Sequence, residues 1–299
     1  MEKKFVVGVD VGGQTTKIGV VDQKGEVLAQ TVIRSDTYGA DAEAFLDALA
    51  ESIGVCIRSA GKEGQVKGVG VGAPNGNYYT GEVSFAPNLA WAADAAVPFA
   101  KMLSERLGGL PVSMTNDANA AAVGEMTYGA ARGMKDFIMI TLGTGVGSGV
   151  VANGQLIYGH DGNAGELGHV IVRRDGRPCG CGNKGCLETY TSATGVARTA
   201  KEFLLNRKED SVLRKIDLDN ITSKDVFDAA MAGDQIAKDI FAFTGQILGE
   251  ALADFVKFSS PEAFVLFGGL AKAGDLLFNP VKKAMDDNLM PVFKGKVKV

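Results

Sequence analysis

Two segments about 130 positions apart repeat one pattern, an apolar strand, a glycine-rich turn and a second strand, and this repeat restricts the fold more than any other feature. The first is FVVGVDVGGQTTKIGVV, residues 5–21; the second is FIMITLGTGVGSGVV, residues 137–151. Laid over each other, Gly13 falls on Gly143, Gly19 on Gly149, and Val20–Val21 on Val150–Val151. A glycine turn leading from strand to strand is a hairpin, so neither segment is the strand-to-helix entry of a Rossmann or Walker site. Phosphate at such a turn is held by backbone amides and hydroxyls, as in an anion-binding nest. Repetition at this distance implies two related lobes whose turns could clamp the phosphates of a nucleotide.

Between and after the hairpins the pattern alternates. Phe45, Leu49, Ile53 and Ile57 recur every fourth position and give a helix over 41–58. VKGVGVGAPN then reads as a buried strand, 97–107 as a helix, and LPVSMTND as a strand ending at Asn116 and Asp117. That pair also opens the next helix, with two of the preferred N-cap residue types at its start. A long core helix is expected over 234–258, then a strand in AFVLFGG, another helix, and the start of a further strand in the closing KVKV. Strands alternating with helices define the α/β class. The repeat places a lobe boundary near residue 115, giving 1–115 and 116–299.

The totals exclude several functions. Hydrophobic residues at 46% and charged residues at 22% suit a globular chain with a sizeable core. A net charge of −4, with only the short KGKVKV run leaning basic, argues against a nucleic-acid-binding surface. The N-terminal apolar stretch is too short for a signal-peptide core, and no run reaches the roughly 18–20 apolar residues that cross a bilayer. Three of the four cysteines crowd together, which suits a metal site in a reducing, cytoplasmic setting better than a disulfide framework.

That crowding lies in GELGHVIVRRDGRPCGCGNKGCLE, residues 165–188. His169, Cys179, Cys181 and Cys186 form a four-ligand set of the kind tetrahedral zinc takes. Four protein ligands leave no open position, so the ion is expected to be structural, replacing the core that this glycine-rich loop lacks. Glu166 and Glu188 flank the ligands; a rigid loop could aim both carboxylates at hydroxyl groups, or both could be surface residues. Asp10, at the end of a buried strand beside a glycine turn, either caps the turn or holds hydrated magnesium near phosphates. His160 reads as a loop residue, Cys56 as core, and Trp91 either as a core edge or as a ligand neighbour.

Taken together these residues resemble the sugar-kinase members of the ROK family, most closely bacterial glucokinases, over nearly the whole chain. The most specific part is ELGH followed by CGCGNKGCLE, which matches the family's E-x-G-H and C-x-C-G-x-x-G-C-x-E pattern. The resemblance implies the two-lobed actin-like ATPase fold, ribonuclease H-like in each lobe, and phosphorylation of a hexose hydroxyl with ATP and magnesium. By it, Asp10 lies near magnesium, and Gly12, Gly13, Thr15, Thr16 and Lys17 line the first phosphate loop. Gly143, Thr144 and Gly145 belong to the second loop, and Gly268–Gly269 to a turn beside the adenosine. NDANAAAVGE matches the motif whose Asp is the catalytic base, making Asp117 the base and Asn116 a sugar ligand. Asn88, Glu166, His169 and Glu188 match further sugar-contacting positions, His169 serving zinc as well. A homo-oligomer, dimer or tetramer, is implied on the same ground.

Three positions depart from the family pattern. Gln14 stands where Thr is usual and Asn75 where Gly is frequent, although Asn also adopts the left-handed conformation a turn needs. Family members also commonly continue past KVKV into a helix that packs on the N-terminal lobe. Other readings are a kinase for N-acetylglucosamine, N-acetylmannosamine, fructose or allose, since the motif does not define the pocket wall around C2. A sugar-sensing regulator would carry a helix-turn-helix ahead of the first hairpin, which here begins at residue 5.

Overall fold

The structure, a computed structural model, describes residues 4–299. The chain forms two compact units: Met1–Gly133 with Leu156–Ala164, and Met134–Gln155 with Gly165–Val299. This grouping differs from a division near residue 115, because the helix that starts at Asp117 packs on the strands preceding it.

The first unit is built on a five-stranded sheet in the order β3-β2-β1-β4-β7. β1 (Phe5–Val11) and β2 (Thr15–Val21) form the antiparallel hairpin expected from the glycine turn, and β3 (Val27–Arg34) extends it. α1 (Ala42–Ser59) follows, capped by Asp41, whose Oδ1 accepts the Ala44 amide at 2.9 Å. β4 (Val66–Ala73) then pairs parallel to β1. A two-stranded ribbon, β5 (Val83–Ser84) and β6 (Ala96–Val97), precedes α2 (Phe99–Arg106). β7 (Val112–Asn116) lies parallel to β4 and runs directly into α3 (Asp117–Tyr128). The core gathers the inward positions of these strands with Phe45, Leu49 and Ile53 of α1. Trp91 belongs to it, stacked 5.2 Å from Phe45 and 5.6 Å from Phe99, and Cys56 is buried in α1.

The second unit repeats the beginning of the first. β8 (Phe137–Leu142) and β9 (Val146–Ala152) form the second hairpin, and β10 (Gln155–Leu156) extends it. β11 (Ala263–Phe267) pairs parallel to β8, as β4 does to β1. The helices are α4 (Glu188–Thr191), α5 (Ala193–Asn206), α6 (Ser223–Met231), α7 (Gln235–Ser259) and α8 (Asp275–Asn288). α7 is the long core helix expected from its apolar spacing, and 14 of its 25 residues are buried. The closing KVKV forms no full strand; only Lys298 bridges to Ala263, with the Phe264 amide donating to the Lys298 carbonyl at 2.8 Å. Among the described residues no helix is long and apolar enough to cross a membrane.

Candidate functional site

In the first unit, β1, β4 and β7 run parallel, and their C-terminal ends bring Asp10, the Asn75 turn and Asn116–Asp117 to one edge of the sheet. That edge is where open α/β sheets receive ligands. Asp10 is exposed, and its Oδ2 stands 3.7 Å from Nζ of Lys17, its partner across the hairpin. The turn between them is closed by the Gly12 amide donating to the Thr15 carbonyl at 3.1 Å. Gly13 has to be glycine: a Cβ there would sit 2.6 Å from the backbone oxygen of Asn88, which brings Asn88 against the first turn. Thr16 is buried, its hydroxyl sharing a 2.8 Å hydrogen bond with Ser35. Gln14 contributes its carbonyl, which accepts the Ser35 amide at 2.8 Å.

Asn116 caps α3, its Oδ1 accepting the Ala118 amide at 2.8 Å, and Asp117 Oδ1 accepts the same amide at 2.8 Å. Asp117 is solvent-exposed by surface area at the start of α3, although protein atoms crowd around its carboxyl. That crowding pushes its carboxyl above the usual range, opposed by the Ala118 hydrogen bond and reinforced by the negative charge of Asp10. Asn75 adopts the left-handed conformation foreseen for it, φ 53°, and its Nδ2 donates to the Ser84 and Phe85 carbonyls at 3.1 and 2.9 Å.

In the second unit the loop before α4 collects the metal-type donors. Ligand atoms of His169, Cys179, Cys181 and Cys186 all lie within 4.8 Å of one another. Four donors around one zinc at tetrahedral angles stand roughly 3.5–3.8 Å apart. Cys179 Sγ is 3.6 Å from His169 Nδ1, and Cys181 Sγ is 3.7 Å from Cys186 Sγ, so both edges fit. Burial, then hydrogen bonding to its neighbours, pushes the Cys186 thiol up to about 12; burial also raises Cys179. Three thiolates cannot share this space without a cation to offset them. Because Nδ1 of His169 faces the thiols, Nε2 is the nitrogen left for another ligand. Glu166 is exposed at the start of the 3-10 turn Leu167–His169.

Glu188 opens α4 and reaches the second hairpin, its Oε2 accepting the Val146 amide at 2.9 Å. The Gly143 amide closes that turn on the Gly145 carbonyl at 3.0 Å. Gly268, at φ 108°, follows β11, and a Cβ there would lie 2.6 Å from the Leu142 oxygen. The Gly268–Gly269 turn therefore abuts the end of β8, just before the second glycine turn. Sequence reasoning missed Arg177, a buried guanidinium in the Cys/His loop. It donates to Glu202, the Thr189 carbonyl at 2.8 Å and Thr199 at 2.9 Å, and stacks 4.4 Å from the Tyr190 ring. It pins the loop to α4 and α5; nothing periodic in the sequence marks it.

Each unit carries a glycine-turn hairpin, with Asp117 at a sheet edge of the first and the Cys/His cluster in the second, and comparison with known proteins places the class. The ROK family profile matches residues 6–299, and the chain belongs to the ROK family. A glucokinase of Halalkalibacterium halodurans is 39% identical over 97% of this chain and 88% of its own. A glucokinase of Thermotoga maritima is 36% identical over 100% of this chain and 92% of its own. Among solved structures, a ROK glucokinase from Streptomyces griseus in complex with glucose and AMPPNP superimposes with a TM-score of 0.80 at 34% identity, covering 99% of this chain and 93% of that one. The actin-like ATPase fold expected from the sequence is the fold of this chain.

Proposed function

We propose that the chain is a glucokinase, transferring the γ-phosphoryl group of ATP to the 6-hydroxyl of glucose. The observation that carries the reading is Asp117, a carboxylate with a raised pKa at the N-terminus of α3, on the same sheet edge as Asp10 and the first glycine turn. The similarity to glucokinases supports glucose over the other sugars. Phosphoryl transfer through a loose transition state needs positioning and charge stabilisation more than a strong base. Asp117 orients the sugar hydroxyl and accepts its proton as the bond to phosphorus forms; its raised pKa brings it nearer to neutrality, which favours that acceptance. Asn88, Asn116, Glu166, His169 Nε2 and Glu188 supply hydrogen bonds to the sugar.

Phosphates rest on the amides of the two hairpin turns, with Gly268–Gly269 beside the adenosine. Asp10, an exposed carboxylate at the edge of the first turn, suits hydrated magnesium arriving with ATP, which when bound supplies neutralising charge to the phosphates. His169, Cys179, Cys181 and Cys186 would hold zinc as a structural ion that keeps the sugar-facing loop rigid. Free thiols of this kind support a reducing, cytoplasmic setting, and the homo-oligomer remains part of the reading on family resemblance.

Asp117→Asn tests the assignment. Glucose turnover is expected to fall by at least about 10³-fold while glucose affinity stays within roughly tenfold, about 1.4 kcal/mol. Substantial residual turnover would remove Asp117 as the base.

A further inference from the structure

We infer that Glu188 positions the second phosphate turn and thereby sets nucleotide affinity, beyond any contact it makes with sugar. The inference rests on the kinase reading above. Sequence reasoning placed Glu188 only with the sugar-facing residues, but one of its oxygens is held by the hairpin. Oε2 accepts the Val146 amide at 2.9 Å, immediately after the turn Gly143–Gly145. Oε2 also fills the place where a side chain of Gly145 would begin, since a Cβ there collides with it. The absence of a side chain at Gly145 is thus explained within the protein, by Glu188.

Residues just beyond Glu188 hold the same turn. The Ala193 amide donates to the Gly143 carbonyl at 2.8 Å, and the Thr194 hydroxyl donates to the Thr144 carbonyl at 2.9 Å. A turn that cradles an anion must direct amides toward it and carbonyls away. Engaging the carbonyls of Gly143 and Thr144 from the α4–α5 segment achieves this, and Glu188 anchors the strand that leaves the turn. Its other oxygen, Oε1, lies 3.8 Å from Cys179 Sγ. One carboxylate therefore joins the metal loop to the nucleotide turn. Its negative charge close to bound phosphate opposes binding, so positioning and repulsion give opposite signs on removal, and a measurement separates them.

The test is calorimetric titration of the full-length, zinc-loaded protein with AMPPNP and magnesium, without sugar. Glu188→Ala is expected to weaken AMPPNP about tenfold, the loss of one charge-assisted hydrogen bond's worth of order in the turn. Glu188→Gln, which keeps an acceptor of the same reach, is expected to stay within about threefold of wild type. Gly145→Ala is expected to weaken AMPPNP about as much as Glu188→Ala, and the double variant no more than about twofold further, because removing the carboxylate makes room for the methyl group. Thr194→Val, which leaves the metal loop untouched, is expected to weaken AMPPNP about threefold and serves if the Glu188 variants do not fold. Unchanged or tighter AMPPNP binding by Glu188→Ala, or by Thr194→Val in that case, would overturn the inference, as would multiplicative effects in the double variant. A wild-type protein that bound no AMPPNP would overturn the kinase reading, and this inference with it.

Discussion

Asp117 stands between two opposing influences on its proton. The Ala118 amide at the start of α3 favours the carboxylate, while crowding by protein atoms and the charge of Asp10 favour the acid, and the acid-favouring influences prevail. Two consequences follow from the sign of this shift. The acid limb of kcat/KM for the sugar is expected above the ordinary aspartate range near 3.9, because the base must be ionised to act. Since the folded pKa lies above the unfolded one, folding at neutral pH carries an ionisation penalty that disappears as pH falls below the unfolded value. Asp117→Asn removes the penalty and keeps an oxygen for Ala118; because solvent screens this exposed carboxylate, at pH 7 it is expected to melt only slightly higher than wild type, by about 1 °C at most. The difference should close when melting is followed below about pH 3.5; a variant less stable at pH 7 would contradict the assigned direction. None of this was visible in NDANAAAVGE, where the helix start was legible and the density of atoms around the carboxylate was not. His169 and the three cysteines were legible because metal ligation requires those atoms at short spacing whatever the fold. Arg177 and the second contact of Glu188 were not, because each depends on partners 12 to 42 positions away.

At the scale of elements, periodicity and glycine turns indicated both hairpins and the long α7, since each buries one continuous apolar face. The closing KVKV, expected to begin a strand, pairs only through Lys298, which bridges to β11. The seam between α7 and α8 depends on glycines whose spacing alone could not reveal a partner. A Cβ at Gly245 would lie 2.6 Å from Pro280 Cγ, and one at Gly249 would collide with the Val281 backbone oxygen. Alanine at Gly249 gains about 1 kcal/mol of helix propensity if nothing obstructs it. Here the obstruction is backbone and cannot rotate away, so Gly249→Ala is expected to destabilise by about 1–3 kcal/mol in urea. A stabilised variant would show that the two helices are not held this closely.

Across the whole molecule, two separate hydrophobic clusters serve the two units: one around Val7, Phe45 and Trp91, the other around α7, Leu187 and Ile140. Among the described residues the Cys/His donor cluster lies in the second, while Trp91, the chain's single tryptophan, lies in the first. Stripping zinc with a chelator is therefore expected to lower the unfolding midpoint followed by far-UV circular dichroism and leave the Trp91 fluorescence midpoint nearly unchanged. Equal shifts in both signals, or no shift in either, would contradict a structural metal confined to one unit. The central proposal is that the chain phosphorylates glucose with ATP, with Asp117 as the base. Its most direct test is ADP release by the zinc-loaded protein with ATP, magnesium and a panel of sugars. Glucose should give the highest kcat/KM, with ADP and glucose 6-phosphate formed one for one; no ADP above the sugar-free rate with any hexose would contradict it.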